Sequence, residues 1–225
     1  MSSIYNMLIK DDAWLSILKG LGVTIKISFF ALILGTLTGA LICCMRRSKN
    51  IILRNFAKIY IAILRGSPVS MLLLLFYYGI FAQSPLDSTT VAVLAFGLNT
   101  AAYVAELMRT ALDATDKGQV EAARTLGFSK WKAFYLITLP QALTIAKPVY
   151  QSTIINLIQW TSVLGYVSIT DLTRVINNFS ARTMKPMFML IVGVILYLSV
   201  AYLVNGLFAL HGLLAKKRRN KHELN

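Results

Sequence analysis

Polar and ionisable side chains interrupt several long apolar stretches of this sequence. In one stretch Asn99, Tyr103 and Glu106 follow at intervals of four and three residues, which a helix would place on one face. Arg65 lies beside another stretch. Cations, carboxylates and amides bind polar solutes by ion pairs and hydrogen bonds without covalent chemistry. A later stretch adds three side chains that would share a helix face: Asn156, Gln159 and Trp160.

The same side chains have a structural interpretation of equal standing. Glu106 and Arg109 are three residues apart, a spacing at which helical side chains form ion pairs. Polar groups can also join two helices by hydrogen bonds without contacting any ligand. A binding role and a packing role therefore both stay open for each candidate residue.

The surrounding composition is that of a membrane protein, and the helix-length apolar windows described below predict an all-α one. Of the 225 residues, 56% are hydrophobic and only 14% are charged, with a mean hydropathy of +0.64. Such values are too apolar for an ordinary soluble domain. The net charge of +14 does not indicate nucleic-acid binding, because the basic residues fall between apolar windows and form no continuous polar face.

Five uncharged windows are each close to the ~20 residues that a membrane-spanning helix needs. We expect the second to begin earlier, near Ile59, with Arg65 inside it. In the first window Gly35 and Gly39 form a G-x-x-x-G pattern, which permits close helix contact. The adjacent Cys43 and Cys44 are interpreted as packing residues, with lipid attachment as the less favoured alternative. The windows are Ile27–Met45, Gly66–Leu86, Ser88–Ala105, Pro148–Thr170 and Pro186–Leu210.

The basic residues between the windows predict an orientation. Sixteen lie on the side that contains the segments after the first, third and fifth windows, and six lie on the other side. By the positive-inside rule the N-terminus is outside and the C-terminus is cytoplasmic. Residues 1–22 are expected to form an external segment lying in the membrane interface, and residues 213–225 a basic cytoplasmic tail.

The polar segment Glu121–Pro140 lies between the third and fourth windows and reads as two short helices. Gly127 can adopt the left-handed conformation that ends the first helix, and Ser129 is a suitable N-cap for the second. Pro140 would stop the second helix and fit the first turn of another. The expected product is a helical hairpin that projects from the membrane on the cytoplasmic side.

This segment resembles the coupling loop of permease subunits of bacterial ABC importers. That loop reads E-A-A, three residues, G, nine residues, I, one residue, L-P. Seven positions match it at this spacing: Glu121, Ala122, Ala123, Gly127, Ile137, Leu139 and Pro140. The resemblance implies that these residues contact a cytoplasmic ATPase.

Other stretches resemble the polar amino acid branch of these permeases, the histidine- and glutamine-uptake type. They include Leu64–Pro68, Leu98–Glu106 and Thr161-Ser162, and the resemblance extends over about residues 20–212. It implies about five transmembrane helices in a type I ABC importer (MetI-like) permease fold, with residues 23–212 as the transmembrane domain and 117–140 as the coupling loop. The implied partners are an ABC ATPase dimer, a second permease subunit, identical or homologous, and an extracytoplasmic amino-acid-binding protein.

The resemblance gives the candidate polar residues a ligand class. An α-amino acid needs a cation or amide donors for its carboxylate and an acceptor for its ammonium group, and Arg65 with Glu106 would supply the ionic parts. Relatives often carry a Lys and an acidic residue directly before the Thr-Ser of the fourth span. Gln159 and Trp160 occupy those positions here, which leaves the particular amino acid open.

Two other classes of protein fit the sequence less well. An autonomous secondary transporter or channel is disfavoured, because five spans fit poorly with paired inverted repeats. A membrane-embedded enzyme is disfavoured further, since the sequence has no H-E-x-x-H pair. It also has no G-x-x-x-x-G-K-[ST] phosphate loop, so we expect that the chain binds no cofactor and that ATP and Mg²⁺ are used by the partner ATPase.

Overall fold

The computed structural model describes residues 13–223, apart from the side chains of residues 211 and 214–223. Within this range all regular structure is helical and no strand occurs. Residues 1–12 of the expected N-terminal segment, and most side chains of the expected basic tail, lie outside the described part. The all-α prediction is confirmed.

Nine α-helices make up the described chain, and three of them continue into π- or 3-10-helical turns. In order they are α1 Ala13–Arg46, α2 Ile51–Gly66, α3 Val69–Leu74 with π-helical Leu75–Ile80, α4 Ser88–Asp113, α5 Lys117–Thr125, α6 Lys130–Ala133 with π-helical Phe134–Thr138, α7 Leu139–Trp160 with 3-10-helical Thr161–Val167, α8 Leu172–Thr183, and α9 Pro186–Glu223.

Three described helices are long and apolar enough to cross a membrane: α1, α4 and the Pro186–Leu210 part of α9. They correspond to the first, third and fifth predicted windows. The bent pair α2–α3 makes a fourth candidate if it is one span. The fourth predicted window falls on α7, which begins well before Pro148 and includes Lys147 and Gln151. These polar residues lower its hydropathy, so a span there stays a prediction.

The second predicted window is interrupted by a bend that was not predicted. The axes of α2 and α3 meet at 108° across Ser67 and Pro68. Pro68 has no backbone N–H and disfavours helical backbone in the residue before it, and Ser67 is accordingly extended, with φ −97° and ψ 143°. Arg65 therefore lies in the last turn of α2, directly before the bend, and not inside a continuous span.

The chain, expected to be a single domain, divides into two compact units. The central unit is Ile27–Thr153, and the terminal unit combines the chain up to Lys26 with the chain from Ile154 onward. Helices α1 and α7 each contribute residues to both units.

In the central unit, α1 and α4 pack at very short distance. A Cβ atom added to Gly35 would lie 2.7 Å from Cβ of Thr100, and one added to Gly39 would lie 2.8 Å from Cβ of Val104. The close contact predicted from the G-x-x-x-G pattern is confirmed. Farther along, Cys43 is buried in a cluster with Ala57 of α2 and Ala102 of α4, whereas Cys44 is exposed and neither cysteine is in a disulfide.

In the terminal unit, the amphipathic helix α8 packs through Val175, Ile176 and Phe179 in a cluster that also contains Ala13 and Met189. The boundary expected near residue 22 is not marked by any break, because α1 is continuous from Ala13 to Arg46. The helix contains no proline that would interrupt it in this region.

Buried Asp171 begins α8. Its carboxylate accepts hydrogen bonds from the backbone N–H groups of Thr173 and Arg174 at 3.0 and 3.1 Å. Burial raises the pKa of Asp171, and these N–H donors act in the opposite direction. At the start of α4, exposed Asp87 is the N-cap, and a hydrogen bond from the Thr90 side chain lowers its pKa.

Candidate functional site

The polar segment between α4 and α7 forms the expected helical hairpin, which we define as Lys117–Thr138. Asp116 caps α5 by accepting a hydrogen bond from the Gly118 N–H at 2.8 Å. Helix α5 ends before Gly127, whose φ of +86° lies in the left-handed region. Ser129 then caps α6 by accepting from the Lys132 N–H at 3.2 Å. The kink and the second cap were both predicted correctly.

The predicted stop before Pro140 is wrong. Helical backbone continues from α6 through the π-helical turn Phe134–Thr138 into α7. Pro140 is the second residue of α7, and because it has no backbone N–H it donates no hydrogen bond to the helical turn before it. The hairpin is therefore connected to α7 without an intervening loop, so a movement of the hairpin can be transmitted to that helix.

The hairpin exposes large apolar side chains beside charged ones. Leu126 is 80% exposed, Trp131 72% and Tyr135 58%, and the Trp131 and Tyr135 rings are stacked with centroids 6.3 Å apart. Exposed aromatic and aliphatic side chains with a polar surround are typical of protein-binding surfaces.

The seven positions of the E-A-A pattern have different surroundings. Ala123 is buried and packs inside the hairpin, whereas Glu121 and Ala122 on the same helix are exposed. Gly127 supplies the left-handed turn. The remaining three, at the junction with α7, are half-buried or exposed: Ile137, Leu139 and Pro140.

A chain of ion pairs lies beside the hairpin, at the C-terminal end of α4. Glu106 pairs with Arg109 at 2.6 Å, and Arg109 also pairs with Asp113 at 2.8 Å. Asp113 in turn pairs with Arg47, which directly follows α1. The Glu106–Arg109 pair was predicted from its spacing. The 109–113 spacing carried a similar signal, but nothing in the sequence indicates Arg47 as a partner 66 residues away.

The four candidate binding residues of the central unit are brought together only in part. The Arg65 guanidinium lies 5.2 Å from the centre of the Tyr103 ring, a cation–π contact. Glu106 is paired with Arg109 and not with Arg65. Asn99 is 2% exposed, and its Oδ1 atom has no hydrogen-bond partner among the described residues.

The three candidates of α7 belong to the terminal unit. Asn156 and Gln159 are exposed and Trp160 is half-buried. Gln159 lines a cavity of about 350 Å³ together with Tyr197 and apolar side chains of α8 and α9 such as Ile176.

A second, more polar cavity of the terminal unit has a volume of about 470 Å³ and is lined by Ser162, Arg174 and Asn177 among others. The Arg174 guanidinium donates a hydrogen bond to the Gly165 carbonyl at 2.9 Å. Arg174 is one of the six basic residues that the sequence places on the external side, and no binding role was predicted for it. The amphipathic pattern of α8 was the sequence signal that could have indicated this polar face.

Within the described residues, no group of three or more His, Cys, Asp or Glu side chains is arranged to hold a metal ion.

The sequence is similar to a family of membrane transport proteins and to several of its members. Residues 31–217 match the model of the family described as binding-protein-dependent transport system inner membrane component. The chain is 33% identical over 198 residues to the probable amino-acid ABC transporter permease protein YckA of Bacillus subtilis (strain 168), covering 88% of each protein. It is 34% identical over 193 residues to the putative glutamine transport system permease protein GlnP of Rickettsia typhi (strain ATCC VR-144 / Wilmington), covering 85% of this chain and 88% of that protein.

Solved structures show the same fold. A crystal structure of an amino acid ABC transporter with histidines superposes with a TM-score of 0.83 at 29% sequence identity, covering 91% of this chain and 96% of that one. The MetNI methionine ABC transporter in an inward-facing conformation superposes with a TM-score of 0.62 at 19% identity, a likeness of fold alone.

Proposed function

The chain belongs to the family of binding-protein-dependent transport system inner membrane components, and from this premise we propose that it imports a polar amino acid as the permease subunit of an ATP-driven transporter. The substrate class is supported by similar proteins whose names specify amino-acid, glutamine, or histidine, lysine, arginine and ornithine transport.

The helical hairpin is the observation on which this function depends most. It carries five of the seven positions of the coupling pattern, and the other two, Leu139 and Pro140, directly follow it at the start of α7. Its left-handed Gly127 fixes the angle between α5 and α6, and Leu126 and Trp131 are exposed on it. Such a rigid, partly apolar projection fits a groove on a partner protein. We propose that the partner is a cytoplasmic ABC ATPase, which binds the ATP and Mg²⁺ that drive the cycle.

The coupling follows from the continuity of the hairpin with its neighbours. Closure of two ATPases around ATP would move the docked hairpin, and α7 would move with it because no loop separates them. The ion pairs between Arg47, Asp113 and Arg109 would carry the same movement to α1 and α4. Rigid-body movement of helices of this kind alternates access between the two sides of a membrane.

For the solute itself we propose a polar path. Each unit contributes its own candidate contacts: Arg65, Asn99, Tyr103 and Glu106 in the central unit, and separately Asn156, Gln159 and Trp160 in the terminal unit. The buried and unpaired Oδ1 of Asn99 supports this assignment, since an unpaired buried acceptor is costly unless a ligand or water satisfies it. Arg65 would bind the carboxylate of the solute, and carboxylate and amide oxygens would bind its ammonium group.

The remaining partners complete the assembly. We propose a second permease subunit, either a copy of this chain or a homologue, and an external binding protein that delivers the amino acid. The N-terminus lies outside and the C-terminus in the cytoplasm of a bacterial cell, in agreement with the distribution of basic residues.

Docking of the hairpin is tested by co-purification of the tagged chain with an ABC ATPase from the cells that produce it. Leu126→Asp combined with Trp131→Asp should abolish recovery of the ATPase, whereas Leu126→Met combined with Trp131→Phe, which keeps the surface apolar, should retain it. Equal recovery with both double variants would contradict docking through this surface. Uptake of labelled amino acids into proteoliposomes, with and without internal ATP, then identifies the solute and shows whether transport needs ATP.

A further inference from the structure

A charged cavity of about 400 Å³ in the central unit lies between the helical hairpin and the ends of α1 and α4. Three cationic side chains from three separate segments line it: Arg47 after α1, Lys117 at the start of α5, and Lys130 at the start of α6. Apolar side chains, among them Leu112 and Phe134, also contribute to the lining.

The cations of this cavity are not fully neutralised. Arg47 pairs with the Asp113 carboxylate, which also pairs with Arg109. Lys117 and Lys130 form no ion pair in the described part of the chain, although Glu121 lines the same cavity. Three cations against two carboxylates leave this space attractive to an anion.

The position of the cavity indicates where that anion comes from. Asp113 is the last residue of α4 and Arg47 directly follows α1, and both helices are candidate membrane spans. One face of α1 exposes Leu37, Leu41 and Cys44 and leads to Arg47. An acyl chain can lie along such a face while its headgroup reaches the end of the helix, whereas a free anion gains nothing from it.

We propose that this cavity binds the phosphate of an anionic lipid headgroup, with Lys117 and Lys130 as its principal contacts. In the proposed orientation it opens to the cytoplasmic leaflet, where basic pockets between helices recognise such lipids. Because both lysines begin helices of the hairpin, the lipid connects the hairpin to the membrane surface. The proposal does not depend on which amino acid is carried.

The proposal is tested by lipid retention, which requires no transport. The full chain is purified with its partner subunits and equilibrated with phosphatidylglycerol or with phosphatidylcholine of the same acyl chains. Native mass spectrometry then measures the lipid that each complex keeps. Phosphatidylglycerol should be retained preferentially, and Lys130→Gln should weaken its binding about fivefold, the effect expected of one lysine beside an anionic surface.

Two matched variants make this test specific. Lys132→Gln removes the same charge two residues away, where the ammonium group lies 4.6 Å from the Phe128 ring and does not line the cavity, and it should leave retention unchanged. Glu121→Gln removes a carboxylate from the lining and should strengthen retention, which a merely damaged protein would not do. Equal losses with Lys130→Gln and Lys132→Gln would show diffuse attraction and overturn the site.

A second experiment distinguishes a lipid headgroup from free inorganic phosphate as the ligand. The same complex, in a detergent free of phospholipid, is dialysed against radiolabelled inorganic phosphate. We expect no saturable binding. Saturable binding that Lys117→Gln and Lys130→Gln abolish would assign the cavity to free phosphate and overturn the lipid assignment.

Discussion

Two single residues have roles that can be tested directly: Gly127 through its backbone angle and Glu106 through its ion pair. Gly127 has open space around the position of a Cβ atom, with nothing within 4 Å. A larger side chain would therefore meet no obstacle here, and glycine is required because of the φ of +86°. A β-branched residue in that conformation costs on the order of 1–3 kcal/mol, and relaxing the backbone would change the angle between α5 and α6.

We predict that Gly127→Val leaves the protein in the membrane but abolishes uptake. Gly127→Asn should keep a large part of the activity, because asparagine adopts the left-handed conformation far more readily than valine. Uptake and substrate-stimulated ATPase activity of the reconstituted transporter are the measurements. Normal values with the valine variant would contradict a fixed kink angle as the requirement for coupling.

Glu106 has either a structural role in an ion pair or a role in the solute path, and its contacts suggest a test that distinguishes the two. The carboxylate pairs with Arg109, and Arg109 is held in turn by Asp113. If Glu106 serves only that pair, Glu106→Gln combined with Arg109→Gln should restore much of the uptake lost by either single change, since no charge is then left unpaired.

We predict the opposite, that the double variant is as inactive as the worse single variant. Arg65→Gln should likewise abolish uptake while the complex with the ATPase persists, because a solute carboxylate loses its cation. Near-normal uptake by either variant in proteoliposomes would remove the corresponding residue from the path.

At the scale of helices, the contact of α1 with α4 is the most constrained in the central unit. Any side chain at Gly35 would collide with Thr100, and the backbone carbonyl of Gly97 lies 2.9 Å from the same Cβ position. Backbone cannot move aside as a flexible side chain can, so overpacking here forces the two helices apart.

We expect Gly35→Ala to destabilise the protein by about 1–3 kcal/mol, the usual cost of overpacking. Gly22→Ala on the same helix is the control, since a Cβ there meets nothing within 4 Å. Thermal unfolding in detergent, followed by near-ultraviolet circular dichroism, should show a lower Tm for the first variant only. An unchanged Tm with Gly35→Ala would show that the helices can separate at little cost.

Local signals made several of these elements predictable from the sequence. The caps at Ser129, the turn at Gly127 and the apolar windows of α1, α4 and α9 each depend on a few neighbouring residues. The 108° bend at Pro68 and the early start of α7 are not determined by a few neighbouring residues. A proline in or beside an apolar window is compatible with a kink, a break or a helix start. Pro148 lies inside α7, whereas Pro68 is the N-cap residue directly before α3. Only the packing around each proline decides between these outcomes.

The candidate site was likewise predictable only where it depends on residues close together in the sequence. The hairpin follows from a pattern within twenty residues, and its form was anticipated except for its junction with α7. The ion pair between Arg47 and Asp113 depends on how α1 meets α4, which hydropathy does not specify. The same holds for the cavity that joins Arg47 to Lys117 and Lys130.

At the scale of the whole molecule, the orientation in the membrane is the feature that the proposed function needs most. An ATPase can reach the hairpin only from the cytoplasm, and a binding protein can reach the chain only from outside. The basic residues favour this orientation, and the hairpin itself carries several of them, including Arg124, Lys130 and Lys132.

We predict that a single cysteine at Lys130 is labelled only from the cytoplasmic side and one at Asn177 only from outside. Both positions are exposed, so a membrane-impermeant maleimide can reach them without unfolding the protein. Cys43→Ala and Cys44→Ser remove the native thiols, of which the exposed Cys44 would otherwise react. Intact cells and inside-out vesicles should give complementary labelling, with permeabilised cells as the control for reactivity. Because Lys130 belongs to the hairpin and Asn177 to α8, labelling of both from one side would place the hairpin and α8 in the same compartment, and reversed labelling would exclude docking of a cytoplasmic ATPase on the hairpin.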